Sequence, residues 1–181
     1  MRKFIFTTLA LCLLCVSSSV TSAMELESSG IVEGKIDKAH ACKARGGKNH
    51  SIPLRVSSIP SGSKYLTIIM DDPDAKPVAG YTWVHWNVFN ILLDGDTKNI
   101  AGSLPKGVIE NSDMGVHQKG KKSYQGMCPP NGKHVYRIAA FALSDKVTAS
   151  TKPLTIEKFS KEFSDKIKDK VILTGSFTGW R

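Results

Sequence analysis

The chain has 181 residues, 25 of them lysine or arginine against 16 acids, for a formal net charge of +9. A basic excess favours anionic partners such as phosphate groups or a membrane surface. It does not point to nucleic acid, because the lysines are scattered and no basic helix or aromatic-basic strand of a known reader is present. The first 23 residues run from Arg2 and Lys3 through an apolar stretch, Phe4 to Val16, to Thr21-Ser22-Ala23, the pattern of a secretory signal peptide. That stretch is shorter than the roughly 20 residues a spanning helix needs, and no later segment approaches that length, so no transmembrane segment is expected in the mature chain. Leucines precede Cys12 and Cys15, where a lipidated cysteine would want a small residue. The chain is therefore expected to be exported, to a periplasm or into the medium, as one domain over residues 24–181. A chain of this length buries about two-thirds of its unfolded surface and needs no metal or dense disulfide frame to hold a core.

In chain order, Tyr65-Leu66-Thr67-Ile68-Ile69-Met70 is a strand-length run rich in β-branched residues, Val84 to Ile91 is a second and Tyr136 to Leu143 a third. Gly, Pro, Asn and Asp bound them, as they bound strands of packed sheets. A helical period appears only near the C-terminus, with Ile156, Phe159, Phe163 and Ile167 on one face, Thr155 as a cap, and Lys158, Lys161, Lys166 and Lys168 mostly around a solvated face. Val171 to Phe177 reads as a last strand. Periodicity alone therefore gives a mainly β domain.

The polar residues that stand out sit at strand ends, where sites are usually built. Asp72-Pro73-Asp74-Ala75 follows the first run, His85 opens the second, and His134 and Tyr136 open the third. Side chains two apart on a strand share a face, so His134 and Tyr136 converge. Their N–H and O–H groups, with backbone amides near Gly126 and Gly132, would suit the acceptor oxygens of a phosphate. Gly126 would let the backbone approach closely, and Pro129-Pro130 would stiffen the turn. A bare Asp72 would repel an anion, but one accepting a hydrogen bond from His85 or His134 fixes that ring's tautomer. The same Asp72, His85 and His134 could serve as a general acid–base set or as metal ligands. No Gly-x-Ser-x-Gly, no His-Glu-x-x-His and no paired-cysteine deaminase signature accompanies them, so no catalytic residue, cofactor or metal is expected. Taken by themselves, these residues read more readily as a tight turn and satisfied core histidines than as a site. His40, His50 and His117 carry no usable pattern and are expected at the surface or in loops.

Several ordered motifs resemble the phosphatidylethanolamine-binding protein family, and in particular its bacterial Raf-kinase-inhibitor-like branch. They are Asn49-His50-Ser51-Ile52-Pro53-Leu54, Asp72-Pro73-Asp74-Ala75, His85-Trp86 with Asn90-Ile91, Tyr124 through Tyr136 around Cys128-Pro129-Pro130, and Leu173-Thr174-Gly175. The resemblance implies a large antiparallel sheet packed on a smaller sheet, a few peripheral helices, and a pocket at one end. It implies that Asp72, His85, Gly126, His134 and Tyr136 surround a phosphoryl group, that Asp74 shapes the loop, and that Trp83 or Trp86 walls the mouth, with Met127 and Pro130 in the adjoining turn. Two departures fall in those turns: Lys76 separates Ala75 from Pro77, and Met127 stands where the family has proline. Both are expected to bear on which ligand fits. Asn49-His50-Ser51 matches a glycosylation acceptor but falls inside a structural motif and is read as structural. Cys42 and Cys128 both adjoin pocket motifs, which leaves a disulfide and two free thiols as the alternatives.

The expected function is a non-enzymatic binding protein for a phosphate-bearing small molecule or phospholipid head group. The alternative is a modulator of a protein partner, in the manner of a kinase or protease inhibitor, working through the pocket rim and basic surface. A hydrolase using the Asp/His cluster is the third reading.

Overall fold

Both alternations of Tyr65–Met70 are apolar but for Thr67, and a strand of that kind must be covered on both faces. The structure, a computed structural model, describes residues 23–100, 104, 108–113, 123–150 and 152–179. The expected signal peptide lies outside these apart from Ala23, and so does His117. The strands are β1 (Glu25–Glu27), β2 (Ile31–Val32), β3 (Lys35–Ile36), β4 (Leu54–Ser57), β5 (Tyr65–Asp72), β6 (Trp83–Leu92), β7 (Lys98–Ile100), β8 (Ile109–Asn111), β9 (Lys133–Leu143) and β10 (Ile167–Thr178); the helices are α1 (Lys76–Ala79) and α2 (Ile156–Glu162). A seven-stranded sheet has the order β2-β3-β10-β9-β5-β6-β8, and a three-stranded sheet the order β1-β4-β7. Between these strands pairing is antiparallel except for β10 with β3, parallel at Ser176 and Lys35, and an isolated parallel bridge joins Ala41 to Met127. This is the mainly β architecture of a large sheet on a smaller one.

Alternation along β5 and β9 divides the apolar residues between two cores. Leu66, Ile68 and Met70 join Tyr136, Ile138, Ala140 and Ala142 in a core against the small sheet, which contributes Leu26, Leu54, Val56 and Ile100. On the other face Ile69, Ala139, Phe141 and Leu143 pack under Ile156, Phe159 and Phe163 of the helix region. Phe159 is fully buried, with its ring centroid 4.7 Å from that of Phe141 and 4.9 Å from that of Phe163.

Thr155 caps α2 by accepting a hydrogen bond from the Lys158 amide (3.3 Å). The helix is shorter than its periodicity predicts: it ends at Glu162, and Ile167 opens β10 instead of completing the helical stripe. The Lys166 and Ile167 amides both turn back onto the Phe163 carbonyl, so the chain makes a tight reversal where a further turn of helix was expected. β10 accordingly starts four residues before the expected Val171.

Two bulges in β6 position its side chains. The register steps from Ile68↔Val88 to Leu66↔Ile91 and from Met70↔Trp86 to Asp71↔Val84. The first bulge contains Asn90, at φ 61°, whose amide exchanges two hydrogen bonds with the Val147 backbone, each 2.9 Å. Asn87 does the same with Leu154 (2.8 and 2.9 Å). These two asparagines fasten the 144–155 connection to the sheet, satisfying backbone groups that would otherwise be buried unpaired. The second bulge makes His85 the extra residue, and bulges commonly re-aim a side chain next to a site.

His40, expected at the surface or in a loop, is buried at the end of the short turn Lys38–His40: its Nδ1–H donates to the His50 carbonyl (3.0 Å) and its ring packs beside Gly30. The neighbouring His50 is exposed. Among the described residues no helix is long and apolar enough to cross a membrane.

Phe159→Ala is expected to lower unfolding stability by about 3–5 kcal/mol, the usual cost of emptying a fully buried aromatic site. Chemical denaturation would show the loss as a reduced midpoint with the same slope.

Candidate ligand pocket

β5 ends on two aspartates, and strand alternation sends them to opposite faces. Asp71 turns to the helix side, where Arg137 grips it with Nε–Oδ1 at 2.8 Å and Nη2–Oδ2 at 2.9 Å, and where the Ile156 amide donates to Oδ2 (3.1 Å). Arg137 also meets Glu157 at 2.6 Å. The hydrogen bonds it donates to Asp71 and Glu157 raise the Arg137 guanidinium above its already high range. Asp72 turns to the other face, at the open end of the core between the sheets.

There it lines a pocket of about 370 Å³. β6 supplies Trp83 and His85, β9 supplies His134, α1 and the turn before it supply Ala75, Val78 and Ala79, and the 125–130 segment supplies Gln125, Gly126, Cys128, Pro129 and Pro130. The base is polar and the mouth apolar, with Val78 66% exposed at the rim.

The polar base is ordered by hydrogen bonds. His134 Nδ1–H donates to Asp72 Oδ2 at 2.7 Å, and both residues are buried. His85 Nδ1–H donates to the Gln125 carbonyl at 2.8 Å, while Nε2 stands 4.0 Å from Asp72 Oδ2. Of the two partners open to Asp72, the structure thus selects His134. Burial pushes the His85 pKa below its ordinary value, against the pull of the Gln125 carbonyl and Asp72, so this ring stays neutral with its lone pair on Nε2. Tyr136 lies beneath both rings, 5.2 Å from the His85 centroid and 6.3 Å from that of His134. Its hydroxyl and Asp72 Oδ1 are buried without a hydrogen-bond partner among the described residues. Burial raises the Tyr136 pKa far above its usual value, and the Asp72 charge adds to this, so the hydroxyl keeps its proton.

Of the residues expected to surround a ligand, Asp72, Trp83, His85, Gly126, Pro130 and His134 line one cavity, while Tyr136 supports it from below. Asp74 and Met127 do not line it. The Asp74 side chain is exposed and accepts a hydrogen bond from the Val135 amide (2.8 Å), tying the 73–75 turn to β9, which is the shaping part expected of it. Met127 is fully buried, with its sulfur 3.5 Å from the Tyr124 hydroxyl. Lys76 is likewise absent from the lining. Trp86 is in the core, donating to Glu110 (2.8 Å), which leaves Trp83 as the wall.

The Gly126 amide, expected to face an anion, instead donates to Asn49 Oδ1 (2.7 Å). A Cβ at Gly126 would meet the backbone of residues 40–42 at 2.6–2.7 Å. The glycine is needed there for the approach of two chain segments, not for ligand access. Asn49 also donates to the Tyr124 carbonyl (3.4 Å), so the side chain of the glycosylation-like triplet is occupied in structural bonds. Cys42 and Cys128 are joined as a disulfide, with Cα atoms 5.5 Å apart. The Cys42 amide donates to the Met127 carbonyl (3.0 Å) and Arg45 Nε to the Pro129 carbonyl (2.8 Å). Sequence reasoning missed Gln125, Val78 and Ala79; the position of Gln125 beside Gly126 was the one available signal, and α1 carried none.

Because the folded-state pKa of His85 is depressed, the unfolded chain takes up this proton first on acidification. The stability tied to the neutral ring is complete above about pH 6.5 and is lost as pH falls below it. His85→Asn keeps a donor for the Gln125 carbonyl but no titrating group. Its unfolding free energy is expected to fall less steeply than that of the wild type between about pH 7 and pH 5, read from denaturant titrations at each pH.

The family model described as phosphatidylethanolamine-binding protein matches residues 27–179. A relative from Methanothermobacter thermautotrophicus, a UPF0098 protein, is 38% identical over 114 residues, covering 61% of this chain and 69% of its own. A second UPF0098 protein, from Chlamydia muridarum, is 31% identical over 157 residues, covering 85% of this chain and 98% of its own. Among solved structures, a phosphatidylethanolamine-binding protein homolog from Chlamydia trachomatis aligns with a TM-score of 0.67 at 25% identity, over 87% of this chain and 99% of that one. The Escherichia coli protein YbcL aligns with the same TM-score at 22% identity, over the same shares of the two chains, and shows the shared fold. A family match over nearly the whole described chain, on a fold of the same two sheets, makes this protein a member of the phosphatidylethanolamine-binding protein family.

Proposed function

We propose that this chain is an exported, non-enzymatic binding protein whose pocket holds the phosphate of a small molecule or lipid head group. The observation that carries this reading is the buried Asp72–His134 pair, facing His85 over the unpartnered Tyr136 hydroxyl at the base of a pocket of about 370 Å³. With Nδ1–H engaged by Asp72, His134 leaves Nε2 for the ligand, and the Tyr136 hydroxyl lies beneath it without a partner among the described residues. Asp72 fixes the orientation of that ring, so an incoming phosphate meets positioned polar groups in a site where electrostatic interactions are strengthened by burial. The apolar rim of Val78, Ala79 and Pro130 suits the uncharged remainder of a ligand. Export rests on the N-terminal segment described above.

One observation favours a second reading, binding of a protein partner. Behind the Cys128–Pro130 wall lies another concavity of about 520 Å³, lined by Lys35, Lys38, Arg45 and Lys133 and, among the described residues, by no carboxylate. An acidic partner surface would fit there, next to the pocket rim.

Calorimetric titration of residues 24–181 with phosphate, phosphoethanolamine and short-chain phosphatidylethanolamine is expected to show saturable binding that His134→Ala weakens at least tenfold, about the cost of a lost charge-assisted hydrogen bond. Absence of binding by the wild type would sink the anion-pocket reading and leave the basic concavity as the functional surface. Turnover of a phosphoester, lost in His85→Ala, would overturn the non-enzymatic assignment.

A further inference from the structure

Two polar atoms at the base of the pocket are acceptors, and that restricts the anion. Asp72 uses Oδ2 for His134 and keeps Oδ1 buried and unpartnered among the described residues. His85 spends its only hydrogen on the Gln125 carbonyl, so its Nε2, 4.0 Å from Asp72 Oδ2, offers a lone pair. The other groups facing Asp72 are His134 and the Tyr136 hydroxyl, with the charges of Asp74 and Arg45 reaching that hydroxyl from the loop and from the 43–45 turn. The Gly126 amide, which would have been a further donor, is taken by Asn49. An anion without hydrogens brings only lone pairs and leaves the Asp72 and His85 acceptors unsatisfied, and a buried acceptor left unpaired is costly.

Resting on the anion-pocket reading, we infer that the site selects phosphate that still carries an acid proton, inorganic phosphate or a phosphate monoester, over sulfate and over phosphodiesters. The ligand hydroxyl donates toward Asp72 and His85 Nε2, while its remaining oxygens face the His134 ring and the rim of the pocket. A phosphate monoester gives up its last proton only near about pH 6 and so retains one at small cost. Sulfate and a diester have none to offer at neutral pH. An intact phospholipid is a diester, so its head-group phosphate ranks below the free monoester, and Asp72 is the residue that sets the order.

The experiment is calorimetric titration of the wild type, at constant ionic strength and neutral pH, with inorganic phosphate, glycerol 3-phosphate, sulfate and glycerophosphoethanolamine. The first two are expected to bind about tenfold or more tighter than the last two, the difference one unsatisfied buried acceptor makes. Asp72→Asn keeps an oxygen for His134 Nδ1–H and turns an N–H toward the ligand, so it is expected to raise sulfate affinity to that of phosphate. Sulfate binding as tightly as phosphate in the wild type would overturn the inference while leaving the anion pocket standing. Glycerophosphoethanolamine binding as tightly as glycerol 3-phosphate would overturn it too, by showing that the ammonium group serves as the donor. If none of the four binds, the pocket reading itself fails, and this inference with it. The wild-type ligand series decides the matter even if the variant does not fold.

Discussion

The pairing of β5 with β9 leaves neither strand a solvent face, and the rest of the molecule answers to that constraint. Covering one face requires the small sheet and covering the other requires α2 with its phenylalanines. Strands buried on both sides cannot alternate polar with apolar residues, so polar side chains that need a particular setting collect where the strands end. Asp71 and Asp72 close β5, and His134 and Arg137 lie in the first half of β9. The pocket is the open end of the inter-sheet core, finished by the loops that enter and leave it.

The two adjacent aspartates show how little residue type decides by itself. Asp71 meets a bidentate arginine and a backbone amide, and its charge is absorbed into a bridge that reaches α2 through Glu157. Such a bridge orients the helix more than it stabilises the fold, because desolvating both ions cancels much of their attraction. Asp72, one residue on, meets a histidine and retains an oxygen with no partner among the described residues. One carboxylate is closed by its surroundings and the other is left open, and the difference is the direction of a Cα–Cβ bond on a pleated strand.

Much of this was legible in the sequence, for identifiable reasons. The long central strands announced themselves through β-branched runs bounded by turn residues, and the helix start through Thr155. The grouping of Asp72, His85 and His134 came from motif order, which carries family information that periodicity does not. The misreadings share a cause. Ile167 continues a helical period arithmetically, but the reversal after Phe163 is a tertiary event. Met127 sits in a pocket motif, yet its side chain fills the core beside Tyr124, and the Gly126 amide is claimed by Asn49, 77 residues away. His40 is buried by Gly30 and by the chain at His50, contacts that no local pattern encodes. The short strands β2, β3, β7 and β8 are two or three residues long, below what any period can register.

The wall of the pocket is fastened to a segment far away in sequence, since the disulfide links residues 86 positions apart and the Gly126, Met127 and Pro129 bonds all reach back to residues 42–49. The sheets, by contrast, contain close-in-sequence pairings such as β5 with β6, which pay less loop-closure entropy. The same two segments also enter the inter-sheet core, which takes in Ala41, Ile52, Tyr124 and Met127, so loosening that long-range closure disturbs the packing and the binding surface together.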